Sequence, residues 1–229
     1  TKRTRAIVLV SPNNPAGVEY PPETITAFRD LARAHDIALI LDETYRDFHS
    51  ASGAPHDLFT DREWDDTLIS LYSFSKAYRL TGHRVGAIIG SPALLHEVEK
   101  MQDTSVICPN RLGQRAALWG LQNLSQWLAA ERDDVLDRRA AVTQHLDALP
   151  GWNVAGLGAY FAYLTHPFDA SSDVIARALV AKAGVLALPA TMFAPAGDML
   201  AAKGLRIAFA NIDRPQIEEL AKRLKSFAP

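Results

Sequence analysis

Lys76 closes the run Ser73-Phe74-Ser75-Lys76, and Arg84 follows eight residues later. The run comes after an apolar stretch, Thr67 to Tyr72, that reads as a buried strand. An amine at the mouth of a strand can form a Schiff base with an aldehyde. Hydroxyls and a guanidinium beside it can hold a phosphate dianion. These residue types at this spacing suit a phosphorylated aldehyde, pyridoxal phosphate. A lone lysine after a strand is ordinarily only solvated, so the reading depends on what else the chain brings to the same end of the sheet.

Two further segments do so. Asp42-Glu43-Thr44-Tyr45 ends the apolar run Ile37 to Leu41, and Ser11-Pro12-Asn13-Asn14-Pro15-Ala16-Gly17 ends the run Ala6 to Val10. Ligands of open α/β sheets bind beyond the carboxyl ends of the strands. Three polar clusters at three such ends are expected to serve one site. Taken singly, Asp42 could be a turn or cap residue, and the asparagine-proline-glycine run could be only a turn.

Asn14-Pro15-Ala16-Gly17, Asp42-Glu43-Thr44-Tyr45, Ser73-Phe74-Ser75-Lys76, Arg84-Val85-Gly86 and Leu205-Arg206-Ile207-Ala208-Phe209 together resemble the fold type I pyridoxal-phosphate enzymes. The resemblance is to the class I/II aminotransferases related to aspartate aminotransferase, and it runs from Ala6 to about Ala228. It implies a catalytic Schiff-base lysine at Lys76 and pyridoxal 5′-phosphate as cofactor. Asp42 would pair with the pyridine nitrogen, and Asn14 and Tyr45 would hydrogen-bond the ring's phenolic oxygen. Ser73 and Arg84 would bind the phosphate, with Ser75 either assisting or facing the core. Arg206 would grip the substrate α-carboxylate as a bidentate fork, with Asn14 beside the substrate. Glu43 carries no assigned role, and Tyr160 is as well explained by packing. A cis Asn14–Pro15 bond is expected from the same resemblance.

The resemblance implies an amino group moved between an amino acid and a 2-oxo acid. No arginine occurs in Gln102 to Cys108, where members acting on dicarboxylates carry one, so the amino acid is expected to be neutral. The same residues would serve a β-eliminating C–S lyase or a ligand-sensing domain of a transcription regulator. Alanine at 190 stands where the family usually has glycine after the proline. The related enzymes carry a long segment before the position of Thr1, which makes this chain resemble their carboxyl-terminal part. They also work as homodimers.

The elements that must position these residues alternate as strand and helix through the first hundred positions, the pattern of a mostly parallel α/β sheet. Pro21-Pro22-Glu23 starts a helix whose buried stripe is expected at Ile25, Phe28, Leu31 and Ala32. The link from Lys76 to a strand at Arg84 to Gly90 is too short for a crossover, so that strand is expected to run antiparallel. Pro92 opens another helix, and a long helical region from Arg111 to Leu149 has a break near Leu124-Ser125. The remainder reads as strand, helix, two strands and a last helix. The expected organisation is a cofactor-binding part at 1–110, an interdomain helical region at 111–149 and a small α+β domain at 150–229.

Composition narrows the partners. The chain has 229 residues, 48% apolar and 22% charged, with a net charge of −2. Nothing in that balance suits nucleic acid or an anionic membrane. A single cysteine, Cys108, excludes an internal disulfide and points to a cytoplasmic setting. The seven histidines show no metal-ligand spacing, and the four tryptophans are expected in cores or interfaces.

Overall fold

The computed structural model describes residues 1–229. The chain divides into two compact units, Thr1–Pro12 with Glu19–Glu131, and Asn13–Val18 with Arg132–Pro229.

The first unit is built on four strands: β1 (Ala6–Val10), β2 (Ala38–Asp42), β3 (Leu68–Ser73) and β4 (Gly86–Ile89), adjacent in that order. β1, β2 and β3 run parallel, with Val10 opposite Asp42 and Asp42 opposite Leu71. β4 is antiparallel to β3, as the short link requires, and begins at Gly86 rather than Arg84. Arg84 stays outside the strand because it takes a left-handed conformation, φ 51°. The helix α1 (Pro22–Ala34) has proline in its first turn and buries Ile25 and Ala32. Leu31, expected on that stripe, is exposed. It lies about 100° around the helix from Ala32, off the packed face. Leu9, Leu39, Leu41, Leu58 and Leu68 complete the core beneath α1.

After β3 the chain makes the single-turn helix α2 (Phe74–Ala77), then α3 (Pro92–Ser105) and α4 (Arg111–Asn123). Ser91 and Asn110 cap α3 and α4 through their side-chain oxygens. Helix α5 (Ser125–Leu146) follows the break at Leu124, where the sequence places it. The boundary between the units falls within α5, between Glu131 and Arg132. Leu112, Leu118, Trp119 and Leu121 of α4 are exposed, so Trp119 is not a core residue in this chain.

The second unit holds β5 (Asn153–Gly158), β6 (Phe161–Thr165), β7 (Leu188–Pro189) and β8 (Gly204–Ala208), ordered β5-β6-β8-β7 with every neighbour antiparallel. The sequence reading expects one strand where β5 and β6 form a hairpin. Its tight turn is made by Ala159, at φ 44°, and Tyr160, neither of which is a usual signal for such a turn. Helices α6 (Ser172–Ala178) and α7 (Arg214–Ser226) pack with Leu164, Leu179, Leu205, Phe209 and Ile217 into one core. Asp213 and Gln216 form a reciprocal capping box at the start of α7. No helix is long and apolar enough to cross a membrane.

Candidate active site

In the first unit the chemistry-bearing residues follow the carboxyl ends of parallel strands. Asp42 is the last residue of β2, and Thr44 N–H donates to its Oδ1 at 2.9 Å. Tyr45 is buried and leads into a 3-10 turn at Arg46–Phe48. Ser73 ends β3 and caps α2, where its Oγ accepts the Ser75 N–H at 3.3 Å. That leaves the Ser73 hydroxyl proton available to an incoming acceptor. Lys76, half-buried, sits in the same turn, while Ser75 is buried.

Arg84 is tied to this turn by main-chain and side-chain bonds. Phe74 N–H donates to Val85 O at 3.3 Å, and Thr81 Oγ donates to Ser75 O at 2.9 Å. The Arg84 guanidinium is exposed and donates to Thr81 O at 3.0 Å. An amine, a hydroxyl, a guanidinium, a carboxylate and a phenol are thus carried by β2, β3 and the turns that leave them. This donor set matches the groups of pyridoxal phosphate: an aldehyde, a phosphate, a basic ring nitrogen and a ring hydroxyl.

The strand ends are braced from below. Glu43 is 1% exposed, and its carboxylate accepts from Ser70 Oγ at 2.7 Å and lies 3.1 Å from His56 Nε2 and 3.4 Å from Arg46 Nη1. Burial pushes its pKa up, but the His56 hydrogen bond, the Arg46 charge and the Ser70 hydroxyl together hold it below the usual glutamate range. The Tyr72 hydroxyl donates to Asp47 at 2.6 Å. Burial and then that carboxylate raise the Tyr72 pKa far above the usual phenol range. The sequence left Glu43 open between a solvated and a supporting residue, since its partners His56 and Ser70 lie 13 and 27 positions away.

The second unit presents Arg206 on β8. Its guanidinium carbon lies over the ring of Phe161, at 5.0 Å, and over that of Phe193, at 4.9 Å. Nη1 donates to Asn14 Oδ1 at 2.7 Å, and the buried Nε has no acceptor. A buried N–H without a partner costs about 1–3 kcal/mol, which a carboxylate reaching the guanidinium would relieve. Asn14 itself is exposed, and the Asn14–Pro15 bond is cis, as is Ser11–Pro12. The Asn13–Val18 turn lies against β5 and β6 so closely that only glycine fits. A Cβ on Gly17, at φ 77°, would stand 2.6 Å from Gly158 N, and one on Gly156 would stand 2.2 Å from Ala16 O.

Tyr160 is half-buried and packs beside Phe161. No group of three or more histidine, cysteine, aspartate or glutamate side chains is placed to hold a metal ion.

A family model described as aminotransferase class I and II matches residues 1–224. A probable aspartate/prephenate aminotransferase of Thermus aquaticus is 31% identical over 100% of this chain and 57% of its own length. An aromatic amino acid aminotransferase of Rhodococcus jostii is 34% identical over 82% of this chain and 50% of its own. Among solved structures, N-succinyldiaminopimelate aminotransferase from Mycobacterium tuberculosis superposes with a TM-score of 0.86 at 25% identity, covering 100% of this chain and 59% of that one. The chain therefore spans little more than half the length of the proteins it resembles.

Proposed function

We propose that this chain, which belongs to the class I and II aminotransferase family, takes part in moving an amino group between a neutral amino acid and a 2-oxo acid. Members of that family use pyridoxal 5′-phosphate. The observation that carries the reading is the placement of Asp42, Tyr45, Ser73 and Lys76 on adjoining strand ends of one sheet.

When bound, the cofactor supplies an electron sink that acidifies the α-hydrogen of an attached amino acid. In this reading Lys76 Nζ is the group that would hold the cofactor, through its aldehyde. The free Lys76 amine would then carry the proton from the substrate α-carbon to the cofactor's aldehyde carbon, the transfer that moving an amino group requires. The Asp42 carboxylate holds the proton on the pyridine nitrogen. The Tyr45 hydroxyl donates to the ring oxygen, and the resemblance assigns Asn14 to the same atom. Ser73 Oγ and the Arg84 guanidinium hold the phosphate.

Arg206 binds the substrate carboxylate. Its flanking phenylalanines keep water from the guanidinium faces, and Asn14 keeps Nη1 in place, so the fork is already formed before substrate arrives. A homodimer belongs to the same reading, supported by the exposed apolar side chains of α4.

Borohydride reduction of the chain loaded with pyridoxal phosphate, followed by peptide mass mapping, is expected to place the pyridoxyl group on Lys76. A pyridoxyl group on any other lysine overturns the assignment. Steady-state kinetics of the complete enzyme with phenylalanine against aspartate tests the substrate class, since the Thermus aquaticus relative is named for a dicarboxylate.

A further inference from the structure

The carboxylate of Glu43 is the most enclosed charge in the first unit, and nothing in the proposed chemistry uses it. Its partners are separate from the Thr44 N–H that bonds the neighbouring strand-end residue Asp42. Around it stand three donors from three separate stretches of chain. Ser70 Oγ belongs to β3, Arg46 Nη1 to the turn after Tyr45, and His56 Nε2 to the loop between β2 and β3. His56 is itself constrained, since its Nδ1 accepts the Leu58 N–H at 3.2 Å. That bond places the ring proton on Nε2, directed at Glu43.

All three neighbours are donors, so the group at their centre must accept in every direction. An ionised carboxylate does this and a carboxamide does not. The main chain carries the constraint onward. Glu43 N–H donates to Leu71 O at 2.9 Å, and Glu43 O accepts Arg46 N–H at 3.0 Å. Glu43 therefore ties β2 to β3 at the level where the two strands release Asp42 and the Ser73–Lys76 turn. It also fixes the turn that carries Tyr45.

We propose that Glu43 is a positioning residue that sets Asp42 and Tyr45 for the cofactor ring through its bonds to Ser70, His56 and Arg46. The proposal rests on the reading of Asp42 and Tyr45 as cofactor ligands. Exchange of Glu43 for glutamine keeps shape and length but turns an N–H₂ toward one of the three donors. The expected consequence is local: the Thr44 N–H to Asp42 bond loosens while the strand interiors hold.

Amide hydrogen exchange on the cofactor-free 229-residue chain tests this directly. In Glu43→Gln the Thr44 and Tyr45 amides should exchange about tenfold faster or more, the effect of losing a hydrogen bond to a charged group. The Leu39 and Leu41 amides should keep their protection. In parallel, titration with pyridoxal phosphate followed by its fluorescence should show affinity weakened by about the same factor, with an altered absorption spectrum. Ser70→Ala, which removes only one donor, should move the same quantities in the same direction by less. It decides the matter if Glu43→Gln fails to fold. Unchanged Thr44 exchange overturns the proposal, and so does loss of protection throughout β2, which would make Glu43 a general stabiliser. Failure of the unsubstituted chain to bind pyridoxal phosphate would instead overturn the cofactor reading, and the exchange rates would still judge Glu43.

Discussion

Arg206 and Asn14 lie 192 positions apart in the chain and share one hydrogen bond, from Nη1 to Oδ1 at 2.7 Å. Asparagine here buttresses the arginine without competing for its charge. An acidic residue at 14 would offset the guanidinium charge and, in the proposed role of Arg206, weaken its pull on a substrate carboxylate.

Replacement of Arg206 by alanine in the complete enzyme should therefore cost about 2–5 kcal/mol of amino-acid binding in kcat/KM and leave cofactor affinity intact. Lysine should recover only part of the loss, because it keeps the charge and lacks the fork. Kinetic constants unchanged in Arg206→Ala would remove Arg206 from the substrate site.

Gly156→Ala should disturb the same contact from a distance. The added methyl would meet Ala16 O at 2.2 Å, so the Asn13–Val18 turn must shift. Overpacking of this kind costs about 1–3 kcal/mol in stability. Substrate KM should rise along with the loss of stability, since Asn14 sits in the displaced turn. A variant with normal stability and normal KM would show that the turn is not held where described.

Tyr72→Phe tests the bond between Tyr72 and Asp47. The substitution leaves the Asp47 carboxylate without its donor at 2.6 Å and should lower unfolding stability by about 1–3 kcal/mol in denaturant titration. An effect within measurement error would mean that water replaces the phenol there without loss.

His166 sets a pH dependence in the second unit. It is buried and stacks on Phe168. Burial, and then the nearby Lys203 charge, lower its pKa from the ordinary 6.5, opposed only in part by the backbone of Ala202. The unfolded chain then binds the proton that the folded chain gives up. Stability rises with pH through that window and is lost as pH falls below 6.5 toward the folded value. Thermal unfolding across that range should show the slope, and His166→Leu should flatten it. Glu43, also lowered, adds a second loss at more acid pH, below its ordinary 4.5. A slope that persists unchanged in His166→Leu would assign it to another group.

The parts of the site legible in the sequence are those set by local order. Lys76 follows Ser73 on the same turn, Asp42 ends a run of apolar residues, and a short link forces β4 to run antiparallel. What stayed hidden depends on distant contacts or unusual backbone. Glu43 was open to being either a solvated residue or a support for its neighbours, and only its bonds to His56 and Ser70 decide between them. The β5–β6 hairpin was masked because Ala159 takes a left-handed conformation that alanine seldom adopts. The aromatic contacts of Arg206 join Phe161 and Phe193 from different elements, and no spacing rule connects them.

The second unit is not a continuous stretch of chain. Asn13–Val18 belong to it, yet Glu19–Glu131 intervene before the rest, Arg132–Pro229. On a ribosome adding roughly 5–20 residues per second, Asn14 waits on the order of ten seconds for Phe161, and longer for Arg206, to be synthesised. Its turn therefore cannot close on β5 and β6 until both strands have been made. The same arrangement bears on inheritance by recombination. A single crossover that transferred Arg132–Pro229 to another protein would deliver Arg206 and its phenylalanines but leave the asparagine behind. The bonded pair of Arg206 and Asn14 can be passed on intact only with both pieces of the gene.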